Sequence, residues 1–109
     1  MAKQIKFSFE GRDYTLEFTR KAIDLMERQG FVASNISEKP ISTLPAMFAG
    51  AFIAHHKFMK REEIDAIFAK MTNKEDLISK LADMYNEPIL AMLEEPEESE
   101  GNVEWGASW

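Results

Sequence analysis

With 109 residues, 45% of them hydrophobic, the chain holds enough apolar material for one modest core and not for two. The absence of cysteine excludes a disulfide framework, a thiolate metal site and a cysteine nucleophile. A net charge of -6 and a pI near 4.9 exclude the basic footprint of a nucleic-acid binder.

Ile5, Phe7 and Phe9 alternate with Lys6, Ser8 and Glu10, and after Gly11-Arg12-Asp13 the alternation resumes with Tyr14, Leu16 and Phe18. The pattern predicts an antiparallel hairpin over residues 4–18 with one apolar face. An isolated hairpin is marginal in water, so that face must pack on helices. Thr19 is placed to cap a helix over 20–29, with Ala22, Ile23 and Met26 inward and Gly30 ending it. Phe31 and Val32 should tuck under that end. Residues 33–39 read as a loop, with Pro40 barring any helix before it.

Ser42 or Thr43 is then expected to cap a helix over 43–58, with Pro45 tolerated in its first turn. Leu44, Met47, Phe48, Ala51, Phe52, His55 and Phe58 share one wide face of it, and Ala46, Ala49, Gly50 and Ile53 occupy the rest. A helix apolar nearly all round is central to its fold. Gly50 costs helix propensity there but admits a neighbouring backbone. Ile64, Ile67, Phe68 and Met71 form the inner face of a helix over 61–71. Thr72-Asn73-Lys74-Glu75 carries the capping-box pattern, opening a helix over 73–93 that is broken near Pro88.

The expected fold class is therefore α+β: an N-terminal β-hairpin packed on a bundle of four to five helices, forming one compact domain over residues 1–93. Beyond it lies a flexible acidic tail, 94–109. This tail holds six Glu, no basic residue and both tryptophans, whereas the preceding 93 residues are charge-balanced. The whole net charge resides in the tail.

Catalytic patterns are missing. His55 and His56 are adjacent on the expected helix, thus about 100° apart around its axis, an arrangement that rarely shares a metal. One is expected at the core edge and the other in water. The carboxylate pairs Glu62/Asp65 and Asp76/Asp83 fall on exposed helix faces, the five glycines are scattered, and no serine has a nucleophile-elbow context. Met26, Met47, Met71 and Met84 fall on inward faces as core filler. No enzyme activity, cofactor or metal is expected.

Three readings of the tail stay open. Val103 to Trp105 alternates like a strand and could pair with an edge of the hairpin, in cis or on another molecule. Alternatively Glu97, Glu98, Glu100, Val103, Trp105 and Trp109 form a partner-binding segment anchored by the indoles. The third reading is an end without function. Sixteen residues span roughly 20–24 Å as a flexible coil and about 50 Å when stretched, enough to reach a second protein.

The runs Tyr14-Thr15-Leu16-Glu17-Phe18-Thr19-Arg20-Lys21, Met26-Glu27-Arg28-Gln29-Gly30-Phe31, Leu44-Pro45, Phe48-Ala49-Gly50-Ala51-Phe52, Ala54-His55-His56, Met84-Tyr85-Asn86-Glu87-Pro88 and Asn102-Val103-Glu104-Trp105 together cover most of the chain. In these the sequence resembles a family of short proteins encoded in tailed phages and prophages of Gram-positive bacteria, whose members look like tail assembly chaperones. The resemblance implies a non-enzymatic role in the cytoplasm of the bacterial host, binding the tape-measure or tail tube protein during tail morphogenesis. It supplies no functional residues. It also implies that Glu94 onward is where a longer, frameshifted form would diverge. An apolar groove from the helices around 44–71 and 77–93 would hold the partner, with the acidic tail recruiting a tail protein.

A structural virion component, or an acidic regulator whose tail imitates a nucleic-acid backbone, is the alternative reading. Neither nucleic acid nor membrane is an expected partner, since the most apolar stretch, 41–54, is shorter than a bilayer span and residues 1–6 lack the apolar core of a signal peptide. Self-association through the tail or the hairpin edge is a further expected contact.

Overall fold

The computed structural model describes residues 3–94 and 103–109. Strands β1 (Ile5–Phe9) and β2 (Arg12–Leu16) form an antiparallel hairpin, in the register Ile5↔Leu16, Phe7↔Tyr14, Phe9↔Arg12. Four α-helices follow: α1 (Arg20–Arg28), α2 (Pro40–Gly50), α3 (Arg61–Lys70) and α4 (Lys74–Met92), with a 3-10 turn at Ala33–Ile36. The fold class is α+β, as the patterning predicts.

The hairpin turn is Glu10–Gly11 rather than Gly11–Asp13, with φ of +51° and +79°. Two successive positive φ values give a tight loop whose twist matches that of the strands it joins. Across the register, Phe7 stacks on Tyr14 at 5.3 Å between centroids. Both then meet the edge or tilted face of Phe52, at 6.4 and 6.0 Å. The apolar face of the hairpin is thereby seated on the segment that follows α2.

Helix α1 begins and ends as its sequence dictates. Thr19 Oγ1 accepts the Ala22 N–H at 3.1 Å, satisfying one of the orphan donors of the first turn. At the other end Gly30 takes φ +96°, the Phe31 N–H reaches the Met26 carbonyl and the Gly30 N–H reaches that of Glu27, both at 3.0 Å. This is a Schellman motif, and it turns Phe31 against Tyr85.

Helix α2 departs from expectation at both ends. It opens at Pro40 itself, because a proline at the first helical position lacks only an N–H that would be unpaired there. Ser42 and Thr43 therefore lie inside the first turn and donate backwards, to the carbonyls of Lys39 and Asn35. The helix stops at Gly50, eight residues before Phe58, and residues 51–59 form a run of turns. Continuation would require the Ala51 carbonyl to accept from His55; it accepts instead from the Glu17 N–H at 3.0 Å, where the chain leaves the hairpin. Pairing with the hairpin thus ends the helix, and Phe58, expected on the inner face, is 90% exposed.

Two corrections concern α4. Its N-cap is Asn73 in the left-handed region (φ +51°), with no capping side chain, so the Thr72–Glu75 box does not form. Nor does Pro88 break the helix, which runs unbroken to Met92. Proline costs one backbone hydrogen bond there, and buried Leu77, Leu81, Met84 and Tyr85 hold the preceding three turns in place.

Helix α2 is central, touching α1, α3, α4 and the 3-10 turn. Phe48, Phe52, Leu16, Met47 and Leu81 are the largest fully buried side chains. Phe48 meets Phe52 edge-on at 5.1 Å and Phe68 of α3 at 4.9 Å. Among the described residues, every buried side-chain polar atom has a hydrogen-bond partner. No described helix is long and apolar enough to cross a membrane.

Candidate partner-binding surfaces

The two histidines sit on the turns after α2 and serve the hairpin. His56 Nε2 accepts the Thr15 N–H at 3.1 Å, which requires a neutral ring protonated on Nδ1. Burial, followed by the charge of neighbouring His55, holds its pKa below the ordinary 6.5. His55 Nε2 lies 2.8 Å from Glu17 Oε1, the same oxygen that accepts from Gln4 Nε2 at 2.9 Å. The hydrogen bond from His55, then that from Gln4, lowers the Glu17 pKa from the ordinary 4.5 against the opposing effect of burial. His56 therefore stands at the core edge and His55 faces water, as expected. Among the described residues no three His, Asp or Glu side chains converge as metal ligands.

This arrangement also changes the account of the hairpin edges. Thr15 in β2 and Glu17 just beyond it spend their N–H groups on His56 and Ala51, so the outer side of β2 is partly occupied at its end.

A cavity of about 530 Å³ opens between the end of α1, the 3-10 turn, α2 and the start of α3. Its lining is largely apolar, with Met26, Ala49, Gly50, Ile53, Phe31 and Ile64 among others, and buried Thr43 adds a hydroxyl. Gly50 leaves room there for Met26, whose Sδ and Cε a Cβ at residue 50 would overlap. The close neighbour of Gly50 is thus a side chain of α1, not a backbone as expected. Among the described residues, the charged ones lining the cavity are Lys39, Lys57 and Arg61, and none is a carboxylate. Arg61 is held through its Nε by Asp65 at 2.9 Å, while Lys39 and Lys57 form no ion pair among the described residues.

The cavity is lined differently from the groove expected from residues 44–71 and 77–93. The first span contributes, α4 does not, and α1 with the 3-10 turn takes its place. Sequence spacing missed these cations because Lys39 lies far in sequence from Lys57 and Arg61, and the latter two fall on different expected helices. A shallower basin lined by Arg12, His55, His56, Phe58 and Glu63 lies beyond the ridge of Lys57 and Met59, which both cavities share.

A second uncovered surface lies at the end of α4. Ile89, Leu90, Met92 and Leu93 are all exposed, Leu90 to 63% and Leu93 to 72%. At 100° per residue they fall within an arc of about 160°, a continuous apolar flank leading directly into Glu94. Of the tail residues singled out from sequence, Glu97, Glu98 and Glu100 lie outside the described residues. Val103, Trp105 and Trp109 belong to no strand or helix, and the two indoles are 84% and 101% exposed. A third strand of the sheet is not formed by residues 103–109, and none of them lines either cavity.

No curated protein and no solved structure matches this chain. One family matches it over its whole length, residues 1–109, and the chain belongs to that family, described as a domain of unknown function, DUF5055.

Proposed function

We propose that this protein is a non-enzymatic tail assembly chaperone of a tailed phage or prophage, binding the tape-measure protein, the tail tube protein or both before the tail closes. The observation that carries the reading is the exposed apolar flank Ile89, Leu90, Met92 and Leu93 at the end of α4, continuous in sequence with a tail whose two indoles are also uncovered. Contiguous exposed apolar surface marks a contact site, and here it adjoins the segment holding all the net charge. A tape-measure protein is long, helical and apolar, and such stripes aggregate unless covered. Burying an exposed leucine contributes about 1.5–3 kcal/mol, so a flank of four large side chains is sufficient for a reversible grip. Reversibility matters because tube subunits must displace the chaperone. The resemblance to phage proteins over most of the chain supports the same role.

Co-expression with the tape-measure and tube proteins of the same genome tests the proposal. The expected result is that the tape measure stays in solution and co-purifies with the wild-type chain. A Leu90→Asp/Leu93→Asp variant, changed only at exposed positions, should lose it. Capture of neither protein refutes the proposal, and stoichiometric presence in finished particles replaces it with a structural virion role.

A further inference from the structure

The groove at the end of α1 has a chemistry that names its occupant. Its lining is largely apolar, it carries Lys39, Lys57 and Arg61, and no carboxylate lines it among the described residues. The complementary ligand is a polypeptide with apolar or aromatic anchors and several carboxylates. This chain contains such a segment in residues 94–109: six Glu, no basic residue, Val103 and two tryptophans. Trp105 and Trp109 are 84% and 101% exposed, and neither lines the groove of its own chain. Among the described residues no part of the tail lies in the groove, and both tryptophans are uncovered.

We propose that the groove docks the acidic, tryptophan-bearing tail of a second copy of this chain, and that reciprocal exchange of tails closes a two-fold dimer. Charge favours this occupant. Lys39 caps the start of α2, and Lys57 and Arg61 precede and open α3. Carboxylates preceding an inserted indole therefore find cations among the residues that line the groove. Each rim pair is weak alone, and the apolar lining contributes most of the affinity, with the charges selecting against basic peptides.

The volume is consistent with this. A cavity of about 530 Å³ is in the range that encloses drug-sized groups and so accepts an indole with its neighbours. Trp105 and Trp109 are four residues apart, close enough for both to enter the same groove. Each buried tryptophan contributes about 150–250 Å², so four indoles in a reciprocal exchange provide roughly 600–1,000 Å². The walls they cover about double this, reaching the ~1,200–2,000 Å² of a stable interface. The inference stands apart from the chaperone reading, since it needs no phage protein.

The two tryptophans, both in the tail, are the only ones in the chain, so intrinsic fluorescence of the full-length protein reads the occupant directly. Emission and acrylamide quenching are followed across a dilution series, with sedimentation velocity on the same samples. The expected result is emission at shorter wavelength and weaker quenching as concentration rises, in step with a monomer-to-dimer shift. A Lys39→Glu/Lys57→Glu/Arg61→Glu variant, altered at the rim only, should weaken the dimer by about tenfold or more while its circular dichroism is unchanged. Restoration of dimer on mixing that variant with one carrying Glu97→Lys, Glu98→Lys and Glu100→Lys would match charge to charge. Shielded indoles at every concentration in a monomer would place the tail on its own chain and overturn the proposal. So would indoles exposed at every concentration, or a dimer indifferent to the rim reversal.

Discussion

Gly50 and Met26 offer a test with a change of sign. In an ordinary helix, replacing glycine by alanine stabilises by up to about 1 kcal/mol. At Gly50 the new methyl would overlap Sδ and Cε of Met26, whose side chain is 3% exposed and must give up its present packing and swing towards the groove it lines. Overpacking of this kind costs about 1–3 kcal/mol, so Gly50→Ala should destabilise by about 1 kcal/mol net. Met26→Ala alone should cost about 2–5 kcal/mol through its cavity. With the thioether gone, Gly50→Ala should regain its helical advantage and fill part of the void, making it stabilising. The double-mutant cycle should return a coupling of about 1–3 kcal/mol. Urea unfolding must be followed by far-UV circular dichroism, because both tryptophans lie in the exposed tail and do not report on the core. Equal stabilisation by Gly50→Ala in both backgrounds would refute the steric argument. It would also remove the reason for a glycine in the groove lining.

Pro88→Ala should stabilise by about 1–3 kcal/mol, restoring a donor to a helix that already continues through the site, and thermal melting should rise by several degrees. An unchanged midpoint would mean that the helix is interrupted there after all. Because the folded-state pKa of His56 lies below 6.5, the unfolded chain binds the proton more readily. The stability that neutral His56 provides is thus complete above pH 6.5 and lost as pH falls below it towards the lowered value. Glu17 adds a second loss as pH falls from 4.5 through its own lowered value. Unfolding free energies measured against pH should show the first decline in the wild type and not in His56→Phe. Thr19→Ala removes the hydroxyl that caps α1 and should cost about 1 kcal/mol in the same assay, with Thr19→Ser restoring most of it.

The elements readable in advance are those whose signals are local. Alternation set the hairpin and its buried face, Thr19 and Gly30 marked the two ends of α1, and the apolar surround of α2 identified the central helix. Each depends on side-chain periodicity or on one residue's backbone preference. Where expectation failed, a distant group had intervened, or a local motif met a rival. Helix α2 ends early because Glu17 takes the Ala51 carbonyl, a bond across 34 residues that periodicity does not encode. The capping box lost to Asn73 in the left-handed region, and Pro88 was outweighed by the packing of the turns before it.

The candidate surfaces divide in the same way. The acidic tail and its indoles are visible in composition alone, because charge and residue type need no fold to be counted. The groove is not visible there: Met26, Gly50 and Ile64 come to line one cavity with Lys39, Lys57 and Arg61 only after α1, α2 and α3 have packed. By itself, then, the sequence determined the α+β class, the central helix and the segregation of charge into one end, since each arises from patterns within a few residues. Tertiary structure alone decided where α2 stops, which histidine accepts a strand N–H, and that three cations line one largely apolar hollow. These depend on contacts between residues far apart in the chain, which no local pattern contains.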